Sequence, residues 1–342
     1  MRLLFIKLKH IGDALLLTPT LTAVRAAYPQ ASIWVVVREG GQGILAGCPA
    51  IDRLLTTAAP ETSRRSPLSW LADVRLIGQL RRERFDYVFE LSDGERGRWI
   101  SGLSGARVRC ANTRGWPLKW WWRQAFNALS QYDWHCRHRV EKDYFTVHEF
   151  LPLPQEVPPL AFARSATERW QPAESFSSFA VMHPGTRWIR KRWPVEKWID
   201  LGQWLLERMP NLILSAGPDP EEVQSARQMQ QILGHRALST GGQTNWAQLA
   251  ELLYRARLFV GVDTAAMHLA AACQCPVVAI LGQTNPVEWH PWKVRYKLVA
   301  ASPQSLRDKR PEEYARAVET ADVKSACLEV LSHSAASSLD LA

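Results

Sequence analysis

Residues 258–282 read LFVGVDTAAMHLAAACQCPVVAILG. An apolar run closes at Gly261, Asp263 and Thr264 follow as helix-start residues, a small-residue helix leads to Pro276, and a second apolar run fills 277–281. Short apolar runs bounded by Gly and Pro fit strands buried on both faces of a parallel sheet, and parallel neighbours need a crossover helix between them. The segment predicts a strand, helix, strand unit whose polar residues gather where the first strand ends and the helix begins. Free backbone N–H groups and the helix dipole favour an anion there, so a phosphate-bearing ligand is expected beside Asp263, Thr264 and His268. The plainer alternatives are Asp263 as an N-cap and His268 as a core histidine.

The same punctuation recurs along the chain. RLLFIK at 2–7 is a strand, a helix is expected from Asp13 with Gly12 in the loop before it, and further strands are expected at 32–37, near 51–55, at 85–91 and at 107–110. Residues 67–84 and 138–151 read as helices. Pro152, Pro154, Pro158, Pro159 and Pro172 mark a linker. The pattern then restarts, with strands at 179–182, 212–215 and near Ala237, helices at 195–208, up to about Leu233 and at 245–256, and helical sequence at 311–331. Two successive βα series predict an α/β chain with two doubly wound, Rossmann-like domains facing a central cleft. The expected division is 1–155, a linker at 156–176, 177–333 and a flexible tail at 334–342.

With 342 residues, 46% of them hydrophobic and 22% charged, the chain is globular in composition and long enough for two cores. The first apolar run is broken by Lys7, Lys9, His10 and Asp13, unlike a signal peptide, and no run approaches the roughly 20 apolar residues of a spanning helix. A cytoplasmic protein is expected. The six cysteines form no C-x-x-C pair and read as buried thiols of a reducing compartment. Much of the net charge of +9 is concentrated between Arg96 and Arg139, where nine Arg or Lys face one acid, Asp133. That region also holds Trp99, Trp116, Trp120, Trp121, Trp122 and Trp134. A basic surface with clustered Trp suits nucleic acid, an anionic membrane or an acidic glycolipid.

Two more loops carry chemistry. HPGTRWIRKRWP at 183–194 follows a strand, precedes a helix, and holds Thr186, Arg187, Arg190, Lys191 and Arg192. Four cations beside a helix N-terminus oppose its dipole, but they fit a diphosphate. GPDPEE at 217–222 occupies the equivalent place after the next strand. Its carboxylates either bond ribose or sugar hydroxyls or cap the following helix.

IKLKHIGDALLLTPTLTAVRAAYP, HPGTRWIRKRWPVEKW and VDTAAMHLAAACQCPVVAILGQTNPVEWHPW together resemble the ADP-heptose:lipopolysaccharide heptosyltransferases, glycosyltransferase family 9. HPGTRW, MHLAAA and the WHPW at 289–292 are most similar to the heptosyltransferase III branch, which adds a branching heptose to the inner core. The resemblance implies a GT-B fold, ADP-heptose bound by the C-terminal domain, and a lipopolysaccharide inner-core acceptor bound by the N-terminal one. It implies Asp13 as catalytic base, Lys191 neutralising the departing ADP, and donor contacts from Gly12, Thr186, Arg187, Glu221 or Glu222, Asp263, Thr264, Ala265 and His268. Ala265 stands where many relatives carry Gly. No D-x-D motif is present, so no metal and no cofactor is expected, and leaving-group charge falls to Lys191, Arg187 and the helix N-terminus. Arg114, Lys119, Trp120, Trp121 and Arg123 become a face for the acceptor and for the inner surface of the inner membrane, on a peripheral, monomeric enzyme. A nucleotide-sugar epimerase is the rival enzyme. A basic nucleic-acid-binding protein is the rival non-enzyme, although no helix-turn-helix, finger or OB pattern accompanies the charge.

Overall fold

The first strand, Arg2–Lys7 (β1), is buried at every position after Arg2, as a strand in the middle of a parallel sheet must be. The structure is a computed structural model that describes residues 1–57, 67–114, 119–307 and 309–336. The chain divides into two compact units, Met1–Ala163 and Arg164–Ala342.

In the first unit β1 is followed by α1 (Ile11–Leu15), α2 (Thr18–Ala27), β2 (Ser32–Arg38), α3 (Gln42–Leu45), β3 (Arg53–Thr57), α4 (Pro67–Glu83) and β4 (Tyr87–Glu90). Then come α5 (Glu95–Leu103), β5 (Val108–Asn112), α6 (Trp120–Ala125), β6 (Ala128–Ser130) and α7 (Arg139–His148). The six strands pair in parallel in the order β3-β2-β1-β4-β5-β6. Leu4, Ile6, Val36, Leu80, Phe85 and Val88 pack one core between sheet and helices.

The second unit runs β7 (Phe179–His183), α8 (Val195–Leu206), β8 (Asn211–Leu214), α9 (Pro220–Leu233), β9 (Ala237–Ser239) and α10 (Trp246–Arg255). It continues with β10 (Leu258–Val262), α11 (Ala265–Ala272), β11 (Val277–Leu281), α12 (Pro286–Trp289), β12 (Tyr296–Ala300) and α13 (Thr320–Ala336). Its order, β12-β11-β10-β7-β8-β9, repeats that of the first sheet read from the other edge. Both are the doubly wound arrangement, in which the winding reverses between the first and fourth strands and leaves a crevice at their carboxyl ends.

Three expectations are corrected. The helix expected from Asp13 is two helices: Pro19 in the first turn of α2 has no N–H and crowds the Leu15 carbonyl, which accepts the Thr18 hydroxyl instead (2.8 Å). The N-cap of α1 is His10, which places Asp13 at the third helical position. Residues 311–331 are not one helix. Two 3-10 turns, Pro311–Glu313 and Ala315–Ala317, precede α13, because the Val318 carbonyl is drawn off by Trp193 Nε1 (3.0 Å) and Lys197 Nζ (2.8 Å). α13 runs on to Ala336, into the expected tail; 337–342 and Trp116 lie outside the described residues.

Gly97 lets α5 lie against β4. A Cβ there would come 2.5 Å from Glu90 Oε1 and 3.0 Å from Ser92 Oγ, both buried. Gly97→Ala is expected to cost about 1–3 kcal/mol and lower Tm by roughly 3–10 °C. Gly78→Ala, inside α4 with no described atom within 4 Å of the added Cβ, is expected to stabilise by about 0.5–1 kcal/mol. Thermal unfolding of the two variants checks both signs.

Candidate active site

In the second unit β7 and β10 are the neighbours at which the winding reverses, and the loops leaving their carboxyl ends carry Thr186, Arg187 and Lys191 on one side and Asp263, Thr264, Ala265 and His268 on the other, while Glu221 and Glu222 follow β8 and Gly12 lies in the first unit. Lys191, in a 3-10 turn after β7, donates to Asp263 Oδ2 (2.5 Å) and to the Asp263 carbonyl (3.2 Å) after β10. Thr284 Oγ1, beyond β11, donates to the same carboxylate oxygen (2.7 Å). Asp263 is therefore not the N-cap of α11; Thr264 is, and its own hydroxyl is buried with no hydrogen-bond partner among the described residues. An orphaned hydroxyl at a helix N-terminus is what an anionic ligand would satisfy. Ala265 opens the helix, and His268 is buried one turn on, 6.4 Å from the Trp289 ring.

The cationic loop itself divides. Thr186 is buried and accepts the Trp188 N–H (3.2 Å). Arg187 and Arg190 are exposed and lie against the Trp188 ring, at 5.6 and 5.0 Å from its centroid. Arg192 pairs with Glu221 (2.8 Å). The two glutamates of GPDPEE have different tasks: Glu221 is exposed, while Glu222 accepts the Gly217 N–H (2.9 Å) and burial pushes its carboxyl up. Asp219 caps α9 through the Glu221 and Glu222 N–H groups. Glu222 also lies where a Cβ on Gly185 would be, 2.2 Å from Oε2, so Gly185 lets the β7 and β8 loops touch.

The first unit has its own polar edge, after β1 and β4. Asp13 is buried, and its Oδ2 accepts the His10 N–H at a long 3.3 Å; Gly12 precedes it in α1. Around these lies a set of buried charges that sequence reasoning missed. Lys7 pairs with Asp143 (2.5 Å), Lys142 pairs with Asp93, and Glu90 accepts the Ser92 N–H (2.7 Å) and the Asp93 N–H (3.2 Å). Burial pushes Glu90 up, and burial together with the Lys7 charge pushes Lys142 down to about 7. The sequence carried no local signal for them: Lys142 and Asp143 are adjacent in α7, yet both are buried, each against a partner far along the chain. Thr284 gave no signal at all.

The basic Trp-rich segment is only partly a surface. Trp122 and Trp134 are buried. Trp99, Trp120 and Trp121 are exposed, as are Arg114, Lys119 and Arg123. Trp120 and Trp121 meet edge to face at 5.7 Å, and Lys119 lies 5.0 Å from the Trp121 ring.

Among the described residues no three His, Cys, Asp or Glu side chains are grouped to hold a metal ion, and no helix is long and apolar enough to cross a membrane. The sequence model of glycosyltransferase family 9 (heptosyltransferase) matches residues 74–317. Lipopolysaccharide heptosyltransferase 3 of Escherichia coli is 25% identical over 333 residues, covering 94% of this chain and 96% of its own. A solved glycosyl transferase family 9 structure from Veillonella parvula superposes with TM-score 0.81 at 19% identity, covering 97% of each chain. An E. coli heptosyltransferase, WaaC, solved with ADP-2-deoxy-2-fluoro heptose, gives TM-score 0.79 at 20% identity over 96% of this chain and 99% of that one.

One property of the second unit is testable without a ligand. His183, at the end of β7 with Nδ1 3.1 Å from Ser215 Oγ, has its pKa lowered by burial to about 4. Its folded value lies below the unfolded one, so between about pH 6.5 and 4 the unfolded chain binds the extra proton, and stability falls as pH drops through that window. The loss is expected to be on the order of 2 kcal/mol. Urea unfolding near neutral pH and near pH 4.5 should show a shallower loss for His183→Asn than for the wild type.

Proposed function

The chain belongs to glycosyltransferase family 9, and from that premise we propose that it moves heptose from ADP-heptose to a heptose of the lipopolysaccharide inner core, as a heptosyltransferase III-type enzyme. The observation that carries the reading is the Lys191–Asp263–Thr284 constellation beside the orphaned Thr264 hydroxyl, at the reversal point of the second sheet. A diphosphate seated there meets an ammonium already held in place, the amino end of α11, and the exposed Arg187.

The proposed chemistry is a single inverting displacement. The acceptor hydroxyl attacks the anomeric carbon, its proton passes to the Asp13 carboxylate, and the bond from that carbon to the β-phosphate oxygen breaks. ADP departs with the electron pair. A carboxylate is a weak base for an alcohol, so Asp13 does most of its work late, when the attacking oxygen has become acidic. Lys191 and Arg187 act on the other reactant, stabilising the charge that accumulates on ADP. Asp263 is a positioning residue, because it fixes Lys191 by two contacts before any ligand arrives.

We further propose a peripheral enzyme at the inner membrane surface. The exposed Trp120 and Trp121 beside Arg114, Lys119 and Arg123 present interfacial rings and positive charge to an acceptor that is itself anchored and anionic.

The deciding experiment is an assay with ADP-heptose and a panel of truncated core acceptors, in which ADP is released only when a competent acceptor is present; release without acceptor would sink the transferase reading. Asp13→Asn is expected to lower kcat/KM by roughly 10²–10⁴ with ADP affinity retained, since the Lys191–Asp263–Thr284 constellation proposed to meet the diphosphate lies in the second unit. Lys191→Met is expected to lower kcat by about 10². Neutralising Arg114, Lys119 and Arg123 together should weaken retention on phosphatidylglycerol vesicles by about 1 kcal/mol per charge at most and raise KM for the lipid acceptor. Unchanged retention would remove the membrane face.

A further inference from the structure

Among the described residues of the first unit, Met1 apart, the exposed large apolar side chains all stand on α4, α5 and α6. Beside the Trp120–Trp121 pair of α6 they include Leu71 (51% exposed) and Val74 (61%) on α4 and Trp99 (48%) on α5. The three helices form one platform. Leu76 and Leu80 of α4 and Ile100 of α5 share a core with Leu4, Ile6 and Val88, so both helices cover the same side of the sheet. Arg96 ties α5 to α4 by donating to both oxygens of Asp73 (2.6 and 2.8 Å). α6 adjoins α5 through Trp122, whose ring meets Trp99 edge to face at 5.1 Å and whose Nε1 donates to Glu95 (2.9 Å).

A helix that serves only a core is apolar on one side, and α4 is apolar on two. Leu76 and Leu80 point inward, while Leu71, Arg75 and Arg82, at helical spacing with Val74 beside them, are exposed on the outer side. The carboxylates of the platform are engaged within the unit: Asp73 by Arg96, Glu83 by Arg2 (3.0 Å), and Glu95 by Trp122, Arg98 and Lys119. Arg75, Arg82 and Arg123 are exposed and meet no carboxylate among the described residues. An apolar surface edged with such arginines matches a bilayer with anionic headgroups, whose acyl boundary takes the apolar side chains and whose phosphates take the guanidinium groups. A second copy meeting this face with its own would set the same arginines against one another.

The position of the face suits an anchored substrate. α4 and α6 each follow a parallel strand, so they start at the carboxyl edge of the sheet, and Leu71, Val74, Trp120 and Trp121 lie in their first halves, towards the edge that also carries Asp13. We propose that the α4–α5–α6 face is seated in the headgroup layer of an anionic phospholipid bilayer, with Leu71, Val74 and Trp99 against the acyl chains, so that this edge is held close to an anchored acceptor. The inference rests on the reading of the protein as peripheral, and adds to it an apolar insertion surface on two further helices.

The test is retention on mixed phosphatidylglycerol and phosphatidylcholine vesicles, without acceptor, of the wild type, Leu71→Gln/Val74→Gln, Trp99→Gln and the triple variant. Gln is a good helix former and leaves every charge in place. The α4 double variant and Trp99→Gln should each weaken partitioning about tenfold. The loss should persist in about 1 M salt, where a screening length of about 3 Å leaves mainly the apolar contribution. On vesicles carrying the acceptor the double variant should raise its KM by the same factor, with kcat and the KM for a deacylated, water-soluble acceptor within about threefold of wild type. Retention of the triple variant equal to that of the wild type overturns the insertion face and leaves adsorption by charge alone. Absence of wild-type binding overturns the peripheral reading and this inference with it, so the two failures are told apart. Dissociation of a dimer by the double variant in sedimentation, with vesicle retention unchanged, overturns the proposal in favour of a second copy. Trp99 packs on Trp122, so the α4 double variant alone carries the test should Trp99→Gln fail to fold.

Discussion

Burial of the central strands on both faces is the constraint from which the chemistry follows. β1, β7, β10 and β11 have almost no exposed residue along their lengths, and an unpaired charge inside such a strand would cost several kcal/mol. Polar side chains can therefore appear only where the strands end. The doubly wound order then makes one pair of carboxyl ends roomier than the rest, because the connections on either side leave in opposite directions. Lys7, Glu90 and Asp93 in the first unit, and His183, Lys191 and Asp263 in the second, stand at those ends for that reason.

Both edges are built around lysine–aspartate pairs, and the pairs are better understood as positioning devices than as stabilisers. A buried ion pair loses much of its Coulombic gain to desolvation, so Lys191–Asp263 adds little to folding beyond what an apolar pair of the same volume would. What it does is hold an ammonium at a fixed place, with Thr284 and Lys191 together restraining the carboxylate. The first unit uses more such pairs and leaves them less well balanced, with two lysines on one Asp93 oxygen. Asp93 has a left-handed backbone, φ 54°, which is uncommon for a residue with a side chain and costs about 1 kcal/mol or more unless its surroundings hold it.

How much of this was legible followed from the range of the interaction. Strand β11 is legible to the residue, because an apolar run between Pro276 and Gly282 has local boundaries. The polar loops at 183–194 and 217–222 were legible for the same reason: cations and carboxylates stood next to helix starts in the sequence. The split of the first helix turned on one proline and one threonine and was missed because the apolar spacing continues across it. β12, α5 and α6 were missed because short elements carry too few residues for a period. The buried charges were invisible for a stronger reason: Lys7 meets Asp143, 136 residues away, and Lys142 meets Asp93, 49 away. Only the folded sheet brings them together, and no local pattern marks a lysine that will find its partner.

The displacement of the N-cap role by one or three residues has a chemical consequence. An N-cap carboxylate spends its oxygens on the N–H groups of the first helical turn, as Asp219 does with two of them. Oxygens so engaged are closed to a ligand or a substrate hydroxyl. Asp13 as an N-cap would be in that position. With His10 taking the cap, Asp13 moves to the third position of α1 and receives one long contact at 3.3 Å, on Oδ2. The same shift releases Asp263 at α11, where Thr264 caps and the carboxylate turns to Lys191. In the second unit the residue after the carboxylate takes the terminal position of the helix and Asp263 is left for Lys191, whereas in the first unit Asp13 keeps one long contact with the N-cap N–H, three residues back.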